Sequence, residues 1–256
     1  PGPHYLGSAK TGFTRESLKR DLEIAIPAAL ERRVPFIVGS SGLAGGEPHL
    51  EVVRQIVYEI AEERGLDFTL ALIHTELDND YLKEKLRSVK VIPMGDQIEL
   101  TEDTIERSAR IVGQIGTEPF VEAYKSGADV ILAGRACESA IFAAIPISRG
   151  YAPGLAFHMA KIIECGTLCA YPSGNDVVTA DIYDDHFVLE PGGLDRKCTV
   201  ERVAAHTLYE QKSPLQIVEP EGVANLTDSQ YEQLTDRAVK VSNSTFAPAD
   251  KKTVKI

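Results

Sequence analysis

Short apolar runs of strand length alternate with segments whose apolar positions recur every three to four residues through the first two thirds of the chain. The runs lie at residues 34–39, Thr69–His74 and Ala128–Ala133. The second kind of pattern is clearest after residue 46, where Leu50, Val53, Ile56, Val57 and Ile60 form one stripe and predict a helix over 47–64. Further helices are predicted at Thr14–Arg33, with Thr14 as N-cap and a kink at Pro27, at 79–87, Thr101–Gln114, Glu118–Ser126, 139–147 and 154–170. Residues 1–13 read as loop and Val89–Pro93 as extended. Strands separated by helices predict an α/β fold: a mostly parallel, Rossmann-like sheet with helices on both faces.

Past Tyr171 the period changes. Asp176–Tyr183 and His186–Leu189 alternate apolar and polar residues around Asp184-Asp185 and predict a hairpin, followed by a helix at Thr199–Glu210 and strands at 222–226 and 238–242. The expected division is residues 1–172 as the α/β sheet domain and 173–256 as a β-rich α+β appendage. The first predicted helix has no strand ahead of it and the chain starts without Met, so it reads as a fragment of a longer protein.

The run at 34–39 ends in Gly39-Ser40-Ser41-Gly42-Leu43-Ala44-Gly45-Gly46, which opens directly into the 47–64 helix. Ligands of open α/β sheets lie at the carboxyl ends of the strands, and free N–H groups at a helix start attract anions. Gly39, Ser40, Ser41, Gly42, Gly45 and Gly46 are therefore candidate binding residues, with Glu47 and Pro48 suited to a first helical turn. The pattern is neither the dinucleotide fingerprint nor a Walker loop. The other reading is that these glycines only permit a tight strand-to-helix turn.

Two more strand ends carry chemistry. His74 closes an apolar run and is followed by Glu76 and Asp78. Imidazole beside carboxylate suits general acid–base work or metal ligation, so His74 and Glu76 are candidate catalytic groups. Alternatively, His74 only hydrogen-bonds a loop carbonyl and Asp78 caps the next helix. Arg135 follows the 128–133 strand and could fork onto a carboxylate or phosphate, or else pair with Glu138 or Glu118. Cys137 beside it has the setting of a lowered pKa, without an identifiable base. Glu164 lies beside a predicted apolar helix face and is either a proton-exchanging carboxylate or a solvated one, whereas Cys165 reads as packed.

The formal net charge of −11 excludes a nonspecific binder of nucleic acid or of anionic membranes. No run reaches the roughly 18 to 20 apolar residues of a membrane span, and the amino terminus lacks a signal-like pattern, so a cytoplasmic protein is expected. Cys137, Cys165, Cys169 and Cys198 are too scattered for a disulfide framework, and Cys165 with Cys169 lacks the second close pair of a zinc site. No metal ligand set is assigned.

Several separated runs then resemble one family in order: P-G-P-H-Y-L-G-S at 1–8, V-K-V-I-P-M-G at 89–95, A-D-V-I-L-A-G-R at 128–135, I-E-C-G at 163–166 and V-E-R-V-A-A-H-T-L-Y-E at 200–210. These resemble the acyclic terpene utilisation AtuA family. The resemblance implies a bacterial-type cytoplasmic protein of acyclic terpene catabolism working through branched acyl-CoA intermediates. It also implies site positions at His4 and Tyr5, the Gly39–Gly46 loop, His74, Arg135, and Glu164 with Cys165. The expected function is acid–base chemistry of the hydratase or lyase type on a small organic acid or branched acyl-CoA thioester, with Arg135 and the glycine-rich loop holding anionic groups. Such chemistry needs no redox cofactor; a divalent metal completing the site and a CoA thioester as substrate both stay open. A noncatalytic acyl-CoA-binding or assembly subunit is the alternative, and a nucleotide-dependent oxidoreductase the third. The expected partner is an anionic small molecule, with a homo-oligomer or a catabolic complex as the assembly.

Overall fold

Buried apolar side chains of residues 2–256, the part that the computed structural model describes, gather in two units with separate cores. The first unit comprises the segments up to Ile115, Ala123–Ala136 and Lys255–Ile256, and the second Gly116–Glu122 and Cys137–Val254.

In the first unit the chain runs through α1 (Gly2–Ser8), α2 (Arg15–Arg32), β1 (Phe36–Val38), α3 (Glu47–Arg64), β2 (Leu70–Ile73), α4 (Asn79–Arg87), α5 (Glu102–Arg107), the end of α6 (Glu118–Lys125) and β3 (Val130–Ala133). The three strands form a parallel sheet in the order β1-β3-β2, with Val38 and Leu72 both opposite Leu132. β3 is central and buried on both sides, which its unbroken Val-Ile-Leu-Ala run anticipates. Leu22 and Ile26 of α2 and Leu50, Val53, Ile56, Val57 and Ile60 of α3 pack on Val130 and Leu132.

Local signals set the helix ends. The Thr14 hydroxyl accepts from the Ser17 N–H at 3.2 Å and starts α2. Gly65, at φ 60°, stops α3 in the left-handed conformation that glycine adopts without a Cβ clash. Asp78 caps α4 by accepting from the Tyr81 N–H at 2.9 Å. Arg15 and Lys19 of α2 pair with Glu59 of α3 at 2.5 and 2.7 Å, and Arg64 of α3 pairs with Glu23 of α2 at 2.5 Å.

The second unit contains the start of α6, then α7 (Glu138–Ser148), α8 (Pro153–Ile163), a 3-10 turn at Gly166–Cys169, β4 (Ala170–Tyr171), β5 (Val178–Ile182), β6 (His186–Pro191), β7 (Lys197–Cys198), α9 (Val200–His206), β8 (Gln216–Glu219), β9 (Gly222–Asn225), β10 (Gln230–Gln233), β11 (Val239–Ser242) and β12 (Thr245–Pro248). Its strands pair antiparallel in three sheets, β10-β11-β6-β5, β12-β9-β8 and β4-β7. Helix α8 is buried from Gly154 to Ile162. Leu155, Met159 and Ile162 join a core with Phe187, Leu189, Val239 and Val241, whereas Ala156, Phe157 and Ala160 join another with Ile217, Ala224 and Leu226. A helix buried all round is one that other elements enclose, and α8 is that helix.

The architecture is therefore mixed α/β, with the parallel arrangement confined to three strands. Four details differ from the reading of the sequence. Residues 2–8 form a helix instead of a loop, and Val89–Pro93 has no regular structure, with Val89 at φ 56°. The helix expected at 101–114 ends at Arg107, because Val112 bridges to Glu76 in extended backbone. The helix expected at 154–170 ends at Ile163, and the chain tightens into the 3-10 turn that leads to β4. No helix among the described residues is long and apolar enough to cross a membrane.

Candidate functional site

The carboxyl ends of β1, β2 and β3 deliver three loops that interlock in the first unit. After β1 the chain must reverse into α3, and Ser40, Gly42, Leu43 and Gly45 do so with φ of 48°, 62°, 86° and 68°. At Gly45 a Cβ would stand 2.2 Å from the Arg135 nitrogen and 2.6 Å from its Cα, so the loop after β3 lies directly against this residue. The Ser40 and Ser41 N–H groups donate to the Gly134 and Ala133 carbonyls at 2.8 and 3.0 Å, and Arg135 N–H returns a bond to the Gly45 carbonyl at 3.0 Å. Thr75, after β2, completes the knot: its hydroxyl accepts from Arg135 N–H at 2.6 Å and donates to the Gly45 carbonyl at 3.3 Å.

The amides of Ser40, Ser41, Leu43 and Gly45 are thus engaged inside the protein. So is the start of α3. Glu47 N–H donates to Glu76 Oε2 at 2.7 Å, and Glu76 Oε1 accepts from Arg110 Nη1 at 2.9 Å. The positive end of α3 holds an anion that the chain itself supplies. His74 stands beside this point with Nδ1 2.8 Å from Glu47 Oε2, in a pair that is largely solvent-exposed. Reading alone missed the carboxylate partner of His74 because Glu47 is 27 residues away along the chain.

Next to the knot is a cavity of about 350 Å³. Pro3, Leu6, Ala44 and Val112 give it apolar walls, and Arg110 and Arg135 also line it. Arg135 Nη1 donates to the Ser40 hydroxyl at 3.1 Å, and the buried Nε of Arg110 has no hydrogen-bond partner. The structure therefore bonds Ser40 to Arg135 and Glu76 to Arg110, two arginines that line the cavity, and His74 is not among the lining residues. His4 is exposed and stacks edge-on against Tyr5. Tyr5 contributes its carbonyl: together with that of Lys10 it accepts from His49 Nε2, both at 3.1 Å. Two carbonyls on one nitrogen require the proton there, so His49 ties α1 to the start of α3. His49 was not singled out from the sequence; its place on the α3 face beside Leu50 was the available signal.

Glu164 belongs to the second unit. It accepts from Lys161 Nζ at 2.9 Å, both side chains are under a tenth exposed, and burial raises its pKa while the lysine opposes the shift. Cys165 lies 3.5 Å from the Tyr209 hydroxyl. Cys137 is not an activated thiol: burial and the neighbouring Glu219 push it up to about 12. Glu219, which the sequence did not mark, is 7% exposed, accepts from Ser139 Oγ at 2.6 Å and Cys137 Sγ at 3.1 Å, and is pushed up to about 7 by burial. Among the described residues no group of three or more His, Cys, Asp and Glu side chains could hold a metal ion.

No curated protein and no solved structure matches the chain. A family does. The profile of the acyclic terpene utilisation family protein AtuA matches residues 4–183, a span that takes in the interlocked loops, both cavity arginines, His74 and Glu164. On that match, which covers more than half of its length, the chain belongs to the acyclic terpene utilisation family AtuA.

Proposed function

We propose that the protein acts in acyclic terpene utilisation as an enzyme on a small organic acid or branched acyl thioester, with acid–base chemistry of the hydratase or lyase type. One observation carries this reading: the cavity of about 350 Å³ joins apolar walls to two arginines, Arg110 and Arg135, in its lining. Its size is that of a small-molecule site, and a few polar groups in an apolar setting orient an amphiphilic ligand. Arg135 reaches it from a backbone clamped by Gly45 and Thr75, so the guanidinium starts from a fixed base. The His74–Glu47 pair, at the same strand edge, has the composition of a proton-transfer dyad. In this reading the three parallel strands form a Rossmann-like core whose ligand loops lie at its carboxyl edge.

The second reading is a noncatalytic binding subunit, and the absence of His74 from the cavity lining favours it. The test is incubation with short branched acids and their CoA thioesters, with products followed by mass spectrometry and binding by thermal shift. In the enzyme, His74→Ala stops product formation and keeps the thermal shift, whereas Arg135→Gln loses the shift. Product formation that survives His74→Ala sinks the catalytic role of the dyad. A ligand shift without any product supports the binding subunit.

A further inference from the structure

Two runs singled out in the sequence, I-E-C-G at 163–166 and V-E-R-V-A-A-H-T-L-Y-E at 200–210, meet in the second unit, and the proposed function uses neither. Helix α9 packs against the 3-10 turn that follows α8, so the end of α8 and the turn after α9 come together. Cys165 Sγ donates to the Tyr209 hydroxyl at 3.5 Å. The Tyr209 ring lies flat against that of His206, with centroids 5.2 Å apart, and Lys161 Nζ stands over it at 5.7 Å. Lys161 in turn bonds Glu164 at 2.9 Å and has Glu210 Oε2 4.0 Å away. A thiol, a phenol, an imidazole and an ammonium group thus share one neighbourhood.

Two features set this cluster apart from ordinary packing. His206 is 5% exposed, and its Nε2 has no hydrogen-bond partner within the protein. Buried polar atoms are nearly always paired, so the partner of this one comes from outside the chain. The second feature is the contrast among the thiols. Burial pushes Cys137, Cys169 and Cys198 up to about 12, 12 and 11, which makes them poor nucleophiles. Cys165 is only partly buried and shares Tyr209 with the Lys161 ammonium, and reactive thiols sit in such partly exposed, positively charged settings. Leu168, one turn after Cys165, and Leu208, next to Tyr209, are aliphatic and exposed, as suits contact with an acyl chain.

From this we infer that Cys165 accepts an acyl group from a thioester, at a site made with Tyr209 and Lys161. The Cys165 sulfur bonds the carbonyl carbon while the bond from that carbon to the sulfur of the departing thiol breaks. The Cys165 proton passes to the Tyr209 oxygen and the Tyr209 proton to the departing thiolate, so the products are an acyl-cysteine and a free thiol. Lys161 favours the negative charge that develops on sulfur. The inference rests on the reading above for its substrate class alone and makes no use of the arginine-lined cavity.

The test is incubation of the whole protein with 4-methylpentanoyl-CoA, acid quenching at successive times, and mass spectrometry of the intact chain and its peptides, with free CoA followed by chromatography. The expected result is one acyl group on Cys165, one CoA released with it, and removal of the group by neutral hydroxylamine. Cys165→Ala should carry no acyl group, and Tyr209→Phe, which keeps the ring against His206 but not the hydroxyl, should acylate about tenfold or more slowly. Circular dichroism melting checks that each variant is folded, with Cys165→Ser in place of Cys165→Ala if the latter is not. Acylation spread evenly over the four cysteines, or equally fast on Cys165 in urea, overturns the site. A native rate in Tyr209→Phe overturns the proton path. Conversion of the thioester that persists in Cys165→Ala, with no acyl group on the native protein, overturns this inference and leaves the proposed function standing. Neither acyl group nor conversion overturns both.

Discussion

Glu76 lies with one carboxylate oxygen 2.7 Å from the Glu47 backbone nitrogen, so helix α3 begins on an anion from within the protein. Its other oxygen accepts from Arg110 at 2.9 Å, which makes Glu76 a bridge from the helix start to the cavity wall. Glu76→Gln removes the charge from both contacts. The expected loss is about 1–2 kcal/mol, read as a lower urea midpoint, because a helix-dipole interaction and a charge-assisted bond weaken together. Arg110→Met alone leaves Glu76 still capping α3. The double variant should lose less than the sum of the two single losses, and strict additivity would show that the pair is not coupled.

Gly45→Ala meets backbone instead of a movable side chain. Its Cβ would fall 2.2 Å from Arg135 N and 2.6 Å from the Gly134 carbonyl carbon, at a φ of 68° that already disfavours alanine. A destabilisation of at least about 2 kcal/mol is expected, with loss of ligand binding in any folded fraction. Gly65→Ala, at φ 60° but with nothing within 4 Å of the added carbon, separates conformation from contact and should cost only about 1 kcal/mol. Equal losses in the two variants would refute the close packing of the β1 and β3 loops.

Glu219 makes the second unit prefer low pH. Its pKa is raised by burial to about 7 from an ordinary 4.5, so the stabilising protonated form is fully present below pH 4.5 and is lost as pH rises through about 7. The amount is about 3 kcal/mol, at about 1.4 kcal/mol per pH unit. In Glu219→Gln, unfolding free energies from urea titrations at intervals between pH 4.5 and 7 should have a slope more positive than the native one by about 1.4 kcal/mol per pH unit. A slope unchanged from the native one would place the buried proton elsewhere.

His158 acts in the opposite sense. It is fully buried between Ser244, 2.7 Å from Nδ1, and Tyr231, 3.4 Å from Nε2, with Phe187 edge-on, and burial pushes it down to about 3. His206, also lowered, lies close enough to disfavour a second charge. The neutral ring stabilises the fold above pH 6.5, and that contribution falls as pH drops toward 3. Between pH 4.5 and 6.5 the slopes of His158 and Glu219 oppose each other at about 1.4 kcal/mol per unit each, so these two contributions should nearly cancel there. His158→Gln should expose the decline due to Glu219, and Glu219→Gln the rise due to His158. A native profile as steep as either variant would exclude the compensation.

How much of this was legible in the sequence depends on how far apart the partners are. The bounds of α3 were legible to the residue because Pro48, the apolar stripe and Gly65 are all local signals. The β5–β6 hairpin and the Asp78 cap were readable for the same reason. α1 was not, since Gly-Pro-His-Tyr-Leu-Gly-Ser is poor in helix formers and its tie, His49, is more than forty residues on. β10 and β12 escaped because they bury no residue fully and so carry no apolar alternation, unlike β9 and β11 of the same length. At the candidate site the glycines, His74 and Arg135 stood out by type and position. The occupation of the α3 start by Glu76, and the burial that raises Glu219, are properties of contacts 29 and 80 residues apart that no local pattern encodes.

The order in which the two units share the chain bears on how the protein can be dissected. Gly116–Glu122 belongs to the second unit, with Phe120 fully buried and Thr117 donating twice to Glu221, although the first unit resumes at Ala123. At the far end Lys255 returns to the first unit, where its carbonyl accepts from Gln114 N–H at 2.7 Å. A gene fragment ending at residue 136 therefore lacks one of its own hydrogen-bonding partners and carries a buried phenylalanine that belongs elsewhere. One starting at 137 lacks both Thr117 and Phe120. No single cut yields two self-sufficient pieces, and fragment complementation, in which both pieces are supplied together, is the form of dissection this chain path permits.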